Sequence, residues 1–173
     1  GKMIENPFKK WSDINSSLPE IDIDVLAPPP SSGTRDAFVE LVLHDVCKSK
    51  YKMDKKTYKE NCSALREDGF VTEVGENDNL IIEKLTDNSE RFGIFGFSFL
   101  DQNRDRVQGS FVDGIEPSFD NIADGSYKVS RPLYFYVKKE HIGVVPGIED
   151  YTDYFMSLSI EGGPLEDAGL IPN

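Results

Sequence analysis

The segment Ile21-Asp22-Ile23-Asp24-Val25-Leu26-Ala27 alternates apolar and polar residues and then runs directly into Pro28-Pro29-Pro30. Alternation at period two is the pattern of a half-buried β-strand. The prolines end it, because each lacks a backbone N–H and pushes the residue before it into extended geometry. A helix then starts near Ser32 or Gly33 and runs to about Val46, with Phe38, Leu41, Val42 and Val46 on one stripe. A strand joined to a helix by a short loop is the unit of α/β architecture, and the remaining pattern extends it. Pro7 to Ile14 reads as a short amphipathic helix that packs by Trp11. Cys47 to Arg66 reads as a helical hairpin, or as a helix with an irregular start. Phe70 to Val74 is a strand, Asp78 to Leu85 an amphipathic helix, and Phe92 to Phe95 a short buried strand. After a polar turn at Asp101 to Arg106, strands are expected around Val107–Val112 and Leu133–Val137, and helices near Ile148–Leu158 and Pro164–Ala168.

Charge narrows the function classes. Lys and Arg number 19 against 31 Asp and Glu, a net charge of −12. Such a chain is a poor binder of nucleic acid, whose phosphates are held by Lys and Arg, and is not drawn to anionic lipid. Its apolar runs, such as Leu133 to Val137 and Ile142 to Val145, are far shorter than the roughly 20 residues needed to cross a bilayer. Gly1 to Pro7 shows no secretory signal, so the expectation is either a cytoplasmic chain or one whose N-terminal part is missing. Two cysteines, Cys47 and Cys62, lack the paired spacing of a zinc site, and the residues alone leave one disulfide or two free thiols open.

The chemistry concentrates in Ser31-Ser32-Gly33-Thr34-Arg35-Asp36-Ala37-Phe38, after the first strand and at the start of the helix. A helix N-terminus presents unpaired N–H groups and the positive end of the macrodipole. Gly33 lets a ligand approach the backbone, Ser32 and Thr34 add hydroxyls, and Arg35 adds a planar fork that fits two oxygens of one oxyanion. Asp36 stands beside Arg35 to hold that fork. The same residues also fit a plain reading, with Ser32 a helix N-cap, Gly33 a turn residue and Arg35 a solvated side chain.

The run Ser32-Gly33-Thr34-Arg35-Asp36-Ala37-Phe38 resembles the Ser-Gly-Thr phosphate loop of the periplasmic phosphate-binding proteins of ABC transporters. Further segments resemble that family in the same order. Upstream are Gly1-Lys2, Trp11-Ser12-Asp13-Ile14-Asn15 and Leu18-Pro19; downstream are Gly93-Ile94-Phe95-Gly96-Phe97-Ser98, Asp124 to Val137 with its Arg131-Pro132-Leu133-Tyr134, and the ending Ala168-Gly169-Leu170-Ile171-Pro172. Lys128 departs from the family's usual Pro, and Pro28 to Pro30 stand where some members carry a ligand-contacting Arg, which puts the cationic role on Arg35 alone.

The resemblance implies an α/β, type 2 periplasmic-binding-protein-like lobe, with a mixed sheet flanked by helices. Residues 1–131 would form the second, ligand-binding lobe, and 132–173 the C-terminal return strand and helices of the first. It further implies a fragment lacking most of the first lobe, which in the family supplies more donors and a carboxylate that accepts the proton of hydrogen phosphate. The implied role is the solute-binding component of a phosphate ABC transporter, periplasmic or at the cell surface. Its partners would be inorganic phosphate and the transporter permease, and it would need no catalytic group, cofactor or metal. Ser32, Gly33, Thr34 and Arg35 would bind the anion, and the periplasmic setting favours a Cys47–Cys62 disulfide. Without first-lobe partners the segment beyond Leu133 would expose an apolar patch open to oligomerisation. A phosphatase-like enzyme and a phosphate-responsive sensor or interaction module are the alternatives.

Other signals are weaker. Asp101-Gln102-Asn103-Arg104-Asp105 opens like a calcium loop, but Arg106 stands where the loop needs Gly and Val112 where it needs Glu, so a polar turn is the better reading. His44 and His141 have no second ligand at metal spacing. Lys48, Lys50, Lys52, Lys55, Lys56 and Lys59 read as a solvated helix face.

Overall fold

The alternation at Ile21–Ala27 becomes a ladder only at its apolar end. In a computed structural model of the chain, which describes residues 4–44, 47 and 55–172, β1 is Val25–Ala27, with Leu26 and Ala27 2% and 0% exposed. Asp22 makes an isolated antiparallel bridge with Lys10 instead. β1 lies between two parallel neighbours, β2 (Val71–Glu73) and β3 (Phe92–Gly93), in the order β2-β1-β3. The named strands are thus all parallel, and the antiparallel component of the expected mixed sheet is confined to isolated bridges. β3 is an edge strand, so Phe92 is half exposed rather than buried as expected.

Helices fill the connections. α1 is Trp11–Ile14, and the ring of Trp11 packs 4.7 Å from that of Phe92. α2, Gly33–Phe38, follows β1 and continues as a π-helix, Val39–His44. α3, Lys55–Ser63, precedes β2; a disulfide joins Cys47 to Cys62 with Cα atoms 6.0 Å apart. Val46, Lys48, Lys50, Lys52 and the Gly1-Lys2 pair lie outside the described residues. α4, Asp78–Asp87, links β2 to β3, and α5, Phe97–Asp101, follows β3. Ile81 and Ile82 of α4 are 0% and 1% exposed, and Ile81 forms a core cluster with Leu26 and Val74, against which Leu85 and Phe95 pack.

Gly93 is where α4 meets the sheet most closely. A Cβ at this position would stand 2.7 Å from Ile81 Cγ2 and 2.8 Å from Leu85 Cδ1. Gly93→Ala is therefore expected to destabilise by about 1–3 kcal/mol, the usual cost of overpacking, with the urea midpoint as its measure. An unshifted midpoint would mean that α4 moves away freely.

The chain divides into two compact units, Gly1–Gln108 and Gly109–Asn173. The second contains α6 (Phe119–Ala123), a 3-10 turn at Lys139–His141, α7 (Ile148–Ser157) and α8 (Pro164–Asp167). The two strands expected around Val107–Val112 and Leu133–Val137 do not form. Val112 pairs only with Ile115 across a tight turn in which Asp113 and Gly114 have φ of 51° and 81°. Leu133–Val137 has no ladder partner among the described residues, and Leu133, Tyr134, Phe135 and Tyr136 are 72%, 71%, 44% and 89% exposed. β-propensity reflects packing on a sheet face and yields no strand without a neighbour to pair with.

Candidate functional site

The order β2-β1-β3 has a geometric consequence. The chain leaves β1 to one side to make β2, then crosses back to the other side to make β3. The loops that follow β1 and β3 therefore diverge, and the crevice at the carboxyl ends of parallel strands at such a reversal is where ligands bind in open α/β sheets. On this protein that rim is built from Pro28–Ser32 with the start of α2, and from Ile94–Gly96 with the start of α5.

Ser32 is the N-cap of α2: its Oγ accepts from the Thr34 N–H at 3.2 Å, which leaves its own hydroxyl proton available as a donor. Gly33 is exposed, and a Cβ there would meet nothing within 4 Å. Thr34 is half-buried. Arg35 is not a solvated side chain: it is 7% exposed, and its Nη1 donates to Pro28 O at 3.2 Å and to Glu73 Oε1 at 3.3 Å. Its Nε and Nη2 have no hydrogen-bond acceptor among the described residues. Nη1 thus anchors the fork to the loop before α2 and to the end of β2.

The carboxylate holding that anchored edge is Glu73, at the end of β2, rather than Asp36. Glu76, a little further along, accepts from Ser31 Oγ at 2.6 Å. Asp78, at the start of α4 and 7% exposed, accepts from the Gly96 N–H at 3.1 Å and so joins α4 to the loop after β3. Burial pushes the Asp78 carboxyl above the usual carboxylate range, and the Gly96 N–H offsets this in part. No sequence signal marks these three acids, because each acts on an element distant in the chain.

The opposite end of the sheet has the wrong sign for an anion. A concavity of about 440 Å³ there is lined by Glu20, Asp22, Asp24 and Glu90, with Lys10 as its one basic lining residue. Elsewhere, His44 Nε2 lies 2.9 Å from Ser63 Oγ, its ring tilted against Tyr58, and His141 is exposed in the 3-10 turn. Asp101 Oδ1 accepts from Arg104 Nε at 2.9 Å, and Asn103 Nδ2 donates to Phe99 O, so these residues close the end of α5 as a polar turn.

The sheet is parallel with helices in its connections, and the chain belongs to the PBP superfamily, whose domain it matches over residues 2–159. Curated relatives include the phosphate-binding protein PstS of Staphylococcus haemolyticus (strain JCSC1435), 30% identical over 175 residues covering 98% of this chain and 48% of the relative. Another is PstS of Staphylococcus epidermidis (strain ATCC 35984), 31% identical over 168 residues, 94% of this chain and 44% of the relative. The chain thus spans about half the length of these relatives. Among solved structures, a possible phosphate binding protein from Planctomyces limnophilus DSM 3776 superposes with a TM-score of 0.61 at 22% identity, over 88% of this chain and 49% of that one. PstS from Borrelia burgdorferi does so with a TM-score of 0.55 at 17% identity, over 86% and 52%. At these identities the superpositions establish the fold.

Proposed function

We propose that the chain is the solute-binding part of a phosphate ABC transporter and holds inorganic phosphate at Ser32, Gly33, Thr34 and Arg35. The observation that carries this reading is a buried guanidinium, anchored through Nη1 and with no acceptor for Nε and Nη2 among the described residues, in the first turn of a helix that starts at the strand-order reversal. Ser32 and Thr34 would supply hydroxyl and backbone donors, Gly33 a backbone donor, and Arg35 a bidentate charged pair, all directed at one tetrahedral anion. The names of the curated relatives support phosphate as that anion. An acidic chain can bind it because desolvated short-range hydrogen bonds outweigh a net charge that salt screens beyond about 8–10 Å.

In this reading the protein captures and releases its ligand without chemical change, needs no cofactor or metal, and works in the periplasm or at the cell surface with a permease as partner. No helix among the described residues is long and apolar enough to cross a membrane. Residues 1–131 would be the ligand-binding lobe and 132–173 the return segment of another. The exposed side chains of Leu133 to Tyr136 are where an oligomer contact would form.

The test is calorimetric titration of the chain with phosphate, with sulfate as the control. Millimolar or tighter phosphate binding, about −4 kcal/mol or better, is the expected result. Absence of phosphate binding would sink the reading.

A further inference from the structure

The end of β2 and the residues just after it grip the loop before α2 and the start of that helix twice: Glu73 holds Arg35 and Glu76 holds Ser31. Its register is fixed, since Val74 between them is buried and its N–H donates to Ala27 O at 2.8 Å. Glu73 thus carries a carboxylate, half exposed, at a set distance of 3.3 Å from the guanidinium.

From this placement we infer that Glu73 is the positioning and specificity-determining residue of the rim: it turns the free edge of Arg35 outward and disfavours oxyanions of higher charge. The inference rests on the phosphate reading above. An anion bonded to Nε or Nη2 of Arg35 lies within about 8 Å of the Glu73 carboxylate, because the guanidinium spans only a bond or two between them. Like charges at that range repel in proportion to ligand charge, so a dianion feels twice what a monoanion feels. The guanidinium attracts both, and Glu73 removes part of the advantage of the dianion. The site should then hold sulfate less well, relative to dihydrogen phosphate, than it would without the Glu73 charge, although both anions are tetrahedral. Arg35 and Asp36 on α2, and Glu76 and Asp78 beyond β2, are the other charged groups of these elements.

The experiment compares sulfate with phosphate at one mildly acidic pH, where phosphate is chiefly the monoanion and sulfate is still a dianion, so that titration of the protein's own groups is common to both arms. Glu73→Gln keeps an oxygen that can accept from Arg35 and removes the charge; Glu73→Asp keeps the charge. Calorimetric titration should show the ratio of sulfate to phosphate affinity rising about fivefold to tenfold in Glu73→Gln, a range reduced from the unscreened repulsion because Glu73 is half exposed, and unmoved in Glu73→Asp. An unchanged ratio in Glu73→Gln, or an equal loss of affinity for both anions, overturns the inference while the phosphate reading stands. If the unsubstituted chain binds neither anion, the phosphate reading falls and this inference falls with it.

Discussion

Arg35→Ala is expected to lose phosphate binding by at least about 100-fold, or about 2.7 kcal/mol, the low end of what removing one partner of a buried charged pair costs. Arg35 is buried, so whatever it bonds exchanges water for a charge-assisted contact inside the rim. Its Nη1 also joins the loop before α2 to the end of β2, through Pro28 O and Glu73. Alanine removes both the donor edge and the tie, so melting curves must accompany the titration. Arg35→Lys separates the two effects. An ammonium can keep one contact to Glu73 or Pro28 and so preserve much of the tie, but it has no planar fork to offer two oxygens. Lysine should therefore melt near the unsubstituted protein and still bind at least tenfold more weakly, about 1.4 kcal/mol. Unchanged affinity in both variants would place the anion elsewhere on the chain.

The segment from Val25 to Arg35 is legible in the sequence because its parts are contiguous. A strand, a proline stop, a capping serine, a glycine and an arginine follow one another between Val25 and Arg35, and local rules read such runs well. The same rules placed α4, where Leu80, Ile81, Ile82 and Leu85 recur at helical spacing, and α7. They could not place Glu73 on Arg35. That contact joins residues 38 apart in the chain and exists because β2 lies beside β1, a pairing that periodicity does not encode. Asp36 was the natural choice from adjacency, but neighbours in a helix point about 100° apart around its axis and do not face each other.

The second unit shows the opposite limit. Leu133-Tyr134-Phe135-Tyr136-Val137 has the composition of a strand and makes none, because strand formation depends on a partner as much as on the residues themselves. Among the described residues, only Phe135 has a ring contact there, 5.0 Å from Phe155. The tight turn at Asp113-Gly114 was legible in principle, since Asp-Gly is the pair that tolerates two positive φ values, but its flanks are too short to continue a ladder.

Ile81→Ala should be the most damaging of the conservative core changes, at about 2–5 kcal/mol of a total stability that for such domains is about 5–15 kcal/mol. Ile81 is fully buried, belongs to one cluster with Leu26 of β1 and Val74 just beyond β2, and is the nearest neighbour of Gly93 in β3. Through it α4 touches β1, β3 and the residue that follows β2. The cavity left by alanine cannot be filled by its neighbours, because Leu26 sits on the central strand, pinned by hydrogen bonds on both sides. The one tryptophan of the chain, Trp11, packs on Phe92 of β3, so its fluorescence follows this sheet and separates its unfolding from that of the second unit. Urea titrations followed by Trp11 should show the loss for Ile81→Ala and only about 0.5–1.5 kcal/mol for Ile81→Val. A loss below 1 kcal/mol in the alanine variant would mean that α4 is not what holds the sheet. Asp78, which joins α4 to the loop after β3, would then be free to shift with the helix, and the rim would have no fixed geometry to offer an anion.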